Sequence, residues 1–238
     1  MRFAVLGDVH SNIVALENVL KDIDSKKVDF VLSTGDLVGY LPFPNEVVEM
    51  VRKRGILSIQ GNHDKYIGSC VRVNSEIISR MSEQELVSNA SAAFTNMTLT
   101  DENRRYLRNM PSKLQLTIKN KIVLLVHGSP ERIDEYVYDD VEKLKVLAEQ
   151  SEEDIIICGH THIPFHREII VKHFINAGSV GKPKHGNANA TYVIVDISKD
   201  NIFVDIIEVK YEVEKIIKVV EQGNMFDKKL CDMLLKGY

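Results

Sequence analysis

Five short blocks place carboxylates, imidazoles and an amide along this chain: Asp8-Val9-His10, Gly35-Asp36-Leu37-Val38-Gly39, Gly61-Asn62-His63-Asp64, His127-Gly128 and Gly159-His160-Thr161-His162. Five of the chain's eight histidines fall inside them. Scattered core histidines would not collect that way, whereas oxygen and nitrogen donors at this density suit metal ions. Two ions about 3.5–4 Å apart need an anionic ligand shared between them and further donors around it. A carboxylate bridges readily; an imidazole does not. Asp36, on a Gly-flanked turn where backbone can approach closely, is the natural bridge. Asp8 and His10 stand two apart, so on an extended segment they point the same way and can chelate one ion. His160 and His162 repeat that spacing. Asn62 offers a neutral carbonyl oxygen and His127 a further nitrogen. The imidazole-rich, thiolate-free donor set suits two divalent or trivalent transition-metal ions, manganese as the first expectation, with iron, zinc, nickel or cobalt as alternatives. Magnesium alone would waste four or more histidines on a hard ion.

Each motif taken singly has an ordinary reading: D-x-H and G-D are usually turns, and G-H-x-H is only suggestive. What separates these blocks is their position, because each directly follows an apolar run that reads as a buried strand. They therefore gather at the carboxyl ends of strands, where open α/β sheets place their sites.

The elements that must position them follow from periodicity. Phe3–Leu6 reads as a strand. Ser11 then caps a helix whose apolar face is Ile13, Leu16, Leu20 and Ile23. Phe30–Ser33 is a strand, Asn45–Arg54 a helix and Ile56–Ile59 a strand, so the first sheet is mostly parallel. The alternation stops from about 66 to 110, where Glu83–Ala93 and Asp101–Leu107 carry helix signals. This segment is expected to be a helical insert, either a lid beside the site or helices packed away from it. Strands resume at Leu114–Ile118 and Ile122–Val126, a hairpin across Lys119-Asn120-Lys121. A helix at Asp140–Gln150 leads to the strand Ile155–Cys158. Short strands follow at Phe165–Val171, His173–Ile175, Thr191–Asp196 and Phe203–Val209, and helices close the chain from about 211. Two mixed sheets flanked by helices, α/β in class, is the simplest packing of this string, in one domain spanning 1–238.

Composition narrows the function classes. At 238 residues, 44% hydrophobic, the chain can bury a sizeable core. With a net charge of −4 and no Lys/Arg run, nothing suggests an arm or surface for duplex nucleic acid. No segment approaches the roughly 20 apolar residues of a membrane span, and the N-terminus is a strand rather than a signal peptide. Cys70, Cys158 and Cys231 are odd in number and far apart, as expected of free thiols in a reducing compartment. Cys158 reads as a small buried strand residue rather than a ligand. The expectation is a cytoplasmic protein.

The five blocks, in this order, resemble those of the calcineurin-like metallophosphoesterase superfamily: D-x-H, G-D-x-x-G, G-N-H-[DE], H and G-H-x-H. All are intact between Asp8 and His162. The longer strings GDLVGYLPFPNEVVEMV, HGSPERIDEYV and NAGSVGKPKHGNANATYVIVD are similar to a bacterial and archaeal subgroup of small phosphodiesterases, as far as about Asp196. The resemblance implies a four-layer α-β-β-α sandwich. It implies that Asp8, His10, Asp36 and His162 hold one ion, and that Asp36, Asn62, His127 and His160 hold the other. A water or hydroxide between the ions would be the nucleophile. His63 would contact the phosphate and protonate the leaving group, a task that suits a group of pKa about 6.5. Asp64 would orient His63 or cap the following helix.

This chain departs from the subgroup's N-P-G-S-V-G-Q-P-R-D string. It reads Asn176-Ala177-Gly178-Ser179-Val180-Gly181-Lys182-Pro183-Lys184-His185. Lys182, Lys184 and His185 make the loop more basic, which points to a substrate with more than one phosphate if the loop reaches the site, and to a solvated turn otherwise. Tyr40, Phe43, Tyr136 and Tyr138 flank motifs and could stack a base. His166 and His173 sit in ordinary strand patterns and read as structural. The expected substrate is a small, nucleotide-type phosphate ester, a cyclic nucleotide or a dinucleoside polyphosphate. A protein serine/threonine phosphatase is the second enzyme reading. A non-catalytic interaction scaffold is the third, and it would normally have lost a ligand that this chain retains.

Overall fold

Alternation along Phe3-Ala4-Val5-Leu6 divides the first strand between two interiors. Phe3 and Val5 enter one apolar cluster and Ala4 and Leu6 another, all fully buried. A strand buried on both faces belongs in the middle of a layered structure, and that is where the computed structural model places it. The structure describes residues 1–72, 83–199, 201–223 and 225–238, with backbone alone for 83–88.

Two five-stranded mixed sheets face each other. The first has the order β10-β9-β1-β2-β3: Arg2–Leu6 (β1), Phe30–Ser33 (β2) and Leu57–Ser58 (β3) run parallel, and Ala190–Ile197 (β9) and Ile202–Val209 (β10) run antiparallel beside them. The second has the order β4-β5-β6-β8-β7. There Lys121–Leu125 (β5), Ile155–Cys158 (β6) and Lys172–Asn176 (β8) are parallel, with Leu114–Ile118 (β4) and Phe165–Ile169 (β7) antiparallel at the edges. Phe3, Val5, Leu32, Val193 and Val195 from one sheet meet Val123, Leu125, Ile155, Ile157 and Ile175 from the other.

Helices Ile13–Ser25 (α1) and Pro44–Lys53 (α2) cover the outer face of the first sheet through Leu16, Leu20, Val47 and Val51. Val141–Gln150 (α6) covers the second sheet, with Leu144 and Ala148 on Leu124, Ile156 and Phe174. The layers are therefore α-β-β-α. Helix α1 starts one residue later than expected: Asn12, not Ser11, is the N-cap, its side chain accepting from Ala15 N at 3.1 Å. Ser11 has φ 59°, which takes it out of the capping geometry. The expected strand Ile56–Ile59 shortens to two residues because the chain peels away to reach Pro111, whose carbonyl accepts from Gln60 N.

Of the expected insert, the helices Glu83–Thr98 (α4) and Asp101–Asn109 (α5) are described, while 73–82 lie outside the described residues. Leu99, Leu107 and Met110 join the outer cluster over the first sheet beside Ile67 of Asn62–Ser69 (α3). The buried Arg104 donates to the carbonyls of Ile67, Cys70 and Asn96. This part of the insert extends the outer helical layer. The closing helices Val213–Gln222 (α7) and Lys229–Lys236 (α8) build a cluster with Leu41, against which Tyr40, Phe43 and Phe94 pack. Phe43 is thus a packing residue rather than a stacking surface. The three cysteines are free, and burial pushes the Cys158 thiol up to about 12. No helix among the described residues is long and apolar enough to cross a membrane.

Candidate metal centre

The loops that leave the parallel strands carry the candidate ligand residues. Asp8 and His10 follow β1, Asp36 follows β2, Asn62 opens α3 after β3, His127 follows β5, and His160 and His162 follow β6. The sharp turns demand unusual backbone. Asp8, His10, Asp36, His160 and His162 all have positive φ, between 47° and 66°. Non-glycine residues in that region are uncommon and cluster where function holds them. Glycines give the carboxylates room: a Cβ on Gly61 would stand 2.0 Å from Asp36 Oδ1, and one on Gly159 would stand 2.5 Å from Asp8 Oδ2.

Three groups of ligand atoms converge, each within 4.8 Å: Asp8 with His10 and His162, Asp36 with His127 and His160, and His10 with Asp36 and His63. The histidines are oriented from behind. Nδ1 of His10 bonds the Val38 carbonyl at 3.2 Å, that of His127 the Thr34 carbonyl at 2.8 Å, and that of His162 the Lys182 carbonyl at 2.6 Å. A carbonyl only accepts, so each Nδ1 carries a proton, and in the neutral ring each Nε2 presents a lone pair. The His160 ring is likewise bonded to the Asp134 backbone.

The consequence is an arrangement that makes sense around cations. Nε2 of His10 and Nε2 of His162 are 3.1 Å apart, two lone pairs facing each other. Asp8 Oδ2 accepts from His160 N at 3.0 Å, while its buried Oδ1 has no hydrogen-bond partner and lies 3.2 Å from His162 Nε2. Asp36 Oδ1 accepts from His63 N at 2.8 Å. Its Oδ2 lies 3.8 Å from His10 Nε2 and 3.3 Å from His127 Nε2, so one oxygen faces both groups. Asn62 Oδ1 is 3.0 Å from His127 Nε2. Carboxylate oxygens and imidazole Nε2 atoms converging this closely fit a pair of transition-metal ions.

Charge tells the same story. Burial drives His10 well below the ordinary histidine value, against the pull of Asp36. At His127 burial pushes the same way, but the Asp36 carboxylate outweighs it and lifts the group to about 10. Burial would raise Asp36 itself, yet His127 and His63 hold it below the usual carboxylate range. Such an anion pulls on any cation at this spot, proton or metal ion.

The remaining predicted residues divide. His63 borders the site, its ring 5.0 Å from that of His10 and 4.8 Å from that of Tyr40. Gly39 leaves space for it, since a Cβ there would meet His63 Nδ1 at 2.6 Å. Asp64 takes the second role expected of it, that of helix cap. Its carboxylate accepts from Leu37 N and Val38 N at 2.9 and 3.2 Å and from Gly61 N at 3.1 Å, which pins the Asp36 turn to the start of α3. Burial, then Asp36, push this carboxyl up to about 7 against those amides. Tyr40 lies edge-on to His10 at 4.8 Å. Lys182 reaches the rim, its Nζ 5.2 Å from the Tyr40 ring centroid, and burial and the nearby Lys184 charge lower it to about 8. Lys184 N donates to the His162 carbonyl at 3.2 Å. His185 turns to Glu208 on β10, 3.8 Å away, and does not join the site. Tyr136 stacks on His160 at 4.3 Å and Tyr138 continues the stack at 5.8 Å; both rings are about half exposed. His166 and His173 pair with each other at 2.9 Å on β7 and β8, as structural residues do. The carbonyls that orient the four rings had no signal in the sequence, because every residue has one.

Residues 1–200 match the model of the calcineurin-like phosphoesterase superfamily domain. An uncharacterized protein of Methanocaldococcus jannaschii is 32% identical over 240 aligned positions, covering 93% of each chain. A metallophosphoesterase from Sphaerobacter thermophilus superposes with a TM-score of 0.82 at 28% identity, over 100% of this chain and 99% of that one. A hypothetical protein from Pyrococcus horikoshii shares the fold with a TM-score of 0.87 at 22% identity, over 100% and 98%. With the five blocks folded into one cluster and the family model spanning most of its length, this chain belongs to the calcineurin-like phosphoesterase superfamily.

Proposed function

We propose that this protein hydrolyses a phosphoester bond in a small, nucleotide-type substrate with the help of two transition-metal ions. The observation that carries the reading is Asp36 Oδ2, which stands between the two ligand groups, 3.8 Å from His10 Nε2 and 3.3 Å from His127 Nε2. Asp8, His10, Asp36 and His162 would hold one ion, and Asp36, Asn62, His127 and His160 the other. Ions bound there would supply a Lewis acid for the phosphoryl oxygens and lower the pKa of water from about 15.7 towards 7. The protein's part is to fix His10, His127 and His162 by their Nδ1 protons and to hold the bridging carboxylate ionised. His63, beside the centre but outside both ligand sets, would hold a proton on a ring nitrogen and deliver it to the leaving oxygen. Tyr136 and Tyr138 present half-exposed rings next to His160, a surface on which a nucleobase can stack. Cyclic nucleotides and dinucleoside polyphosphates are the two substrate types this supports. Manganese is the first metal to try. The reading assigns one domain working in the cytoplasm, where three free thiols stay reduced.

The test is a panel of phosphate mono- and diesters, cyclic nucleotides, dinucleoside polyphosphates and a phosphopeptide. The apo protein is reconstituted in turn with manganese, iron, zinc, nickel and cobalt. Turnover of nucleotide esters above the other compounds is expected. Turnover of the phosphopeptide alone would replace the reading with a protein phosphatase. No turnover with any metal would leave a scaffold.

A further inference from the structure

Lys182 is a largely buried lysine whose ammonium has no anion beside it. Only 5% of its surface is exposed. Among the described residues its ammonium has no carboxylate and no hydrogen-bond acceptor; its one recorded partner is the face of the Tyr40 ring, 5.2 Å from Nζ. A cation–π contact offsets only part of the cost of desolvating an ammonium. The charge of Lys184 close by makes the position worse, not better. A largely buried lysine whose ammonium has no anion at hand is open to one that a ligand could supply.

Its place says which ligand. The Lys182 carbonyl holds His162 Nδ1 at 2.6 Å, and Tyr40 lies 4.8 Å from the rings of both His10 and His63. Lys182 is therefore tied to the Asp8–His10–His162 side of Asp36, whereas Tyr136 and Tyr138 stand against His160 on the other. The nearby carboxylates turn to the histidines instead: Asp36 accepts from His63 N through Oδ1 and faces His10 and His127 through Oδ2, and Asp8 accepts from His160 N through Oδ2 and lies 3.2 Å from His162 Nε2 through Oδ1. Gly181 keeps the lysine in this place, since a Cβ there would meet the Val9 carbonyl oxygen at 1.8 Å. A lysine ammonium is a compact point charge on a flexible stem, suited to phosphate without fixed geometry.

We propose that Lys182, framed by Tyr40, is a subsite for a second phosphate, so that the protein selects compounds in which another phosphate neighbours the one being cleaved. The proposal rests on the phosphoesterase reading above and narrows it to polyphosphate compounds over cyclic nucleotides.

Calorimetric titration of methylenediphosphonate and of methylphosphonate, neither of them hydrolysable, into the manganese-loaded protein reads the subsite without turnover. Metal content is measured after each run. The wild-type protein should bind the diphosphonate at least about tenfold more tightly than the monophosphonate, as a charge-assisted contact would give. Lys182→Met keeps the unbranched stem and should bring that ratio close to one; Lys182→Arg should restore most of it. Metal content should hold in both variants, because Lys182 lends His162 only its backbone carbonyl. A wild-type ratio near one, a ratio unchanged in Lys182→Met, or loss of metal from that variant overturns the proposal. If the ratio behaves as expected while no ester in the panel is cleaved, the hydrolase reading falls and the anion subsite stands. Cleavage of simple esters without any diphosphonate preference does the reverse.

Discussion

At the scale of single residues, the two oxygens of Asp36 have separate duties. Oδ1 is spent on the His63 amide, and Oδ2 faces both ligand groups. Replacing Asp36 by Asn keeps the shape and removes the charge that would hold two cations together. Asp36→Asn is expected to lose at least one ion per chain and at least about 10²-fold in rate, a ligand-sized effect. Metal analysis by plasma emission together with kinetics checks this, and two retained ions with near-normal turnover would take Asp36 out of the bridging role. His63 should behave differently. As a group outside both proposed ligand sets, its replacement by Ala should leave two ions in place and cost roughly 10²–10⁴ in rate. The cost should shrink for esters with good leaving groups, which need little protonation. Equal losses across a leaving-group series would argue against His63 as the acid.

At the scale of elements, the loops and turns carry the unusual conformations while the strands stay ordinary. The β4–β5 hairpin turns through Lys119-Asn120, both with positive φ as a two-residue primed turn requires. The β7–β8 hairpin makes the same kind of turn with Ile170 and Val171, at φ 51° and 60°. β-Branched residues are poorly suited to that region, and both side chains are exposed, so no burial compensates. Left-handed backbone costs roughly 1–2 kcal/mol per such residue. Ile170→Asn with Val171→Gly should therefore stabilise the protein. At about 2–4 °C per kcal/mol for a chain of this size, a Tm rise of several degrees is expected in a thermal melt. An unchanged or lower Tm would show that the turn is not strained. The site loops show the same backbone in a different setting: there the left-handed residues are the proposed ligands.

At the scale of the whole molecule, the proposed ligands come from both sheets. Asp8, His10, Asp36 and Asn62 follow strands of the first, and His127, His160 and His162 follow strands of the second. Ions shared between them would fasten the sandwich across its core. Binding to the native state alone stabilises by about 4 kcal/mol at a free concentration 1,000 times Kd. That corresponds to a Tm about 8–16 °C higher in the manganese-loaded than in the chelator-treated protein. Equal melting of the two forms would mean that the ions do not link the sheets. Helices α7 and α8 add a second whole-molecule role. They follow the region matched by the family model and back the Leu41 turn behind Tyr40, so the tail shapes the rim of the site.

How much of this could be read beforehand depends on what kind of fact it is. Donor atoms are a property of residue type, so Asp8, His10, Asp36, Asn62, His127, His160 and His162 could be picked out by identity and order alone. The apolar runs in front of them placed them at strand ends, and the order of strands and helices along the chain pointed to two sheets with helices outside. Geometry between distant loops is a different matter. Asp64 could be read as a partner for His63 or as a helix cap; folding gave it the cap and added the amides of Leu37 and Val38. Lys182 and His185 looked alike in one basic string, yet the chain turns between them, burying one over Tyr40 and sending the other to Glu208. The single oxygen that faces both ligand groups, and the carbonyls that aim each ring, arise only when loops from two sheets are packed together. Residue identity carries chemistry from the start; direction and distance exist only once the sandwich has closed.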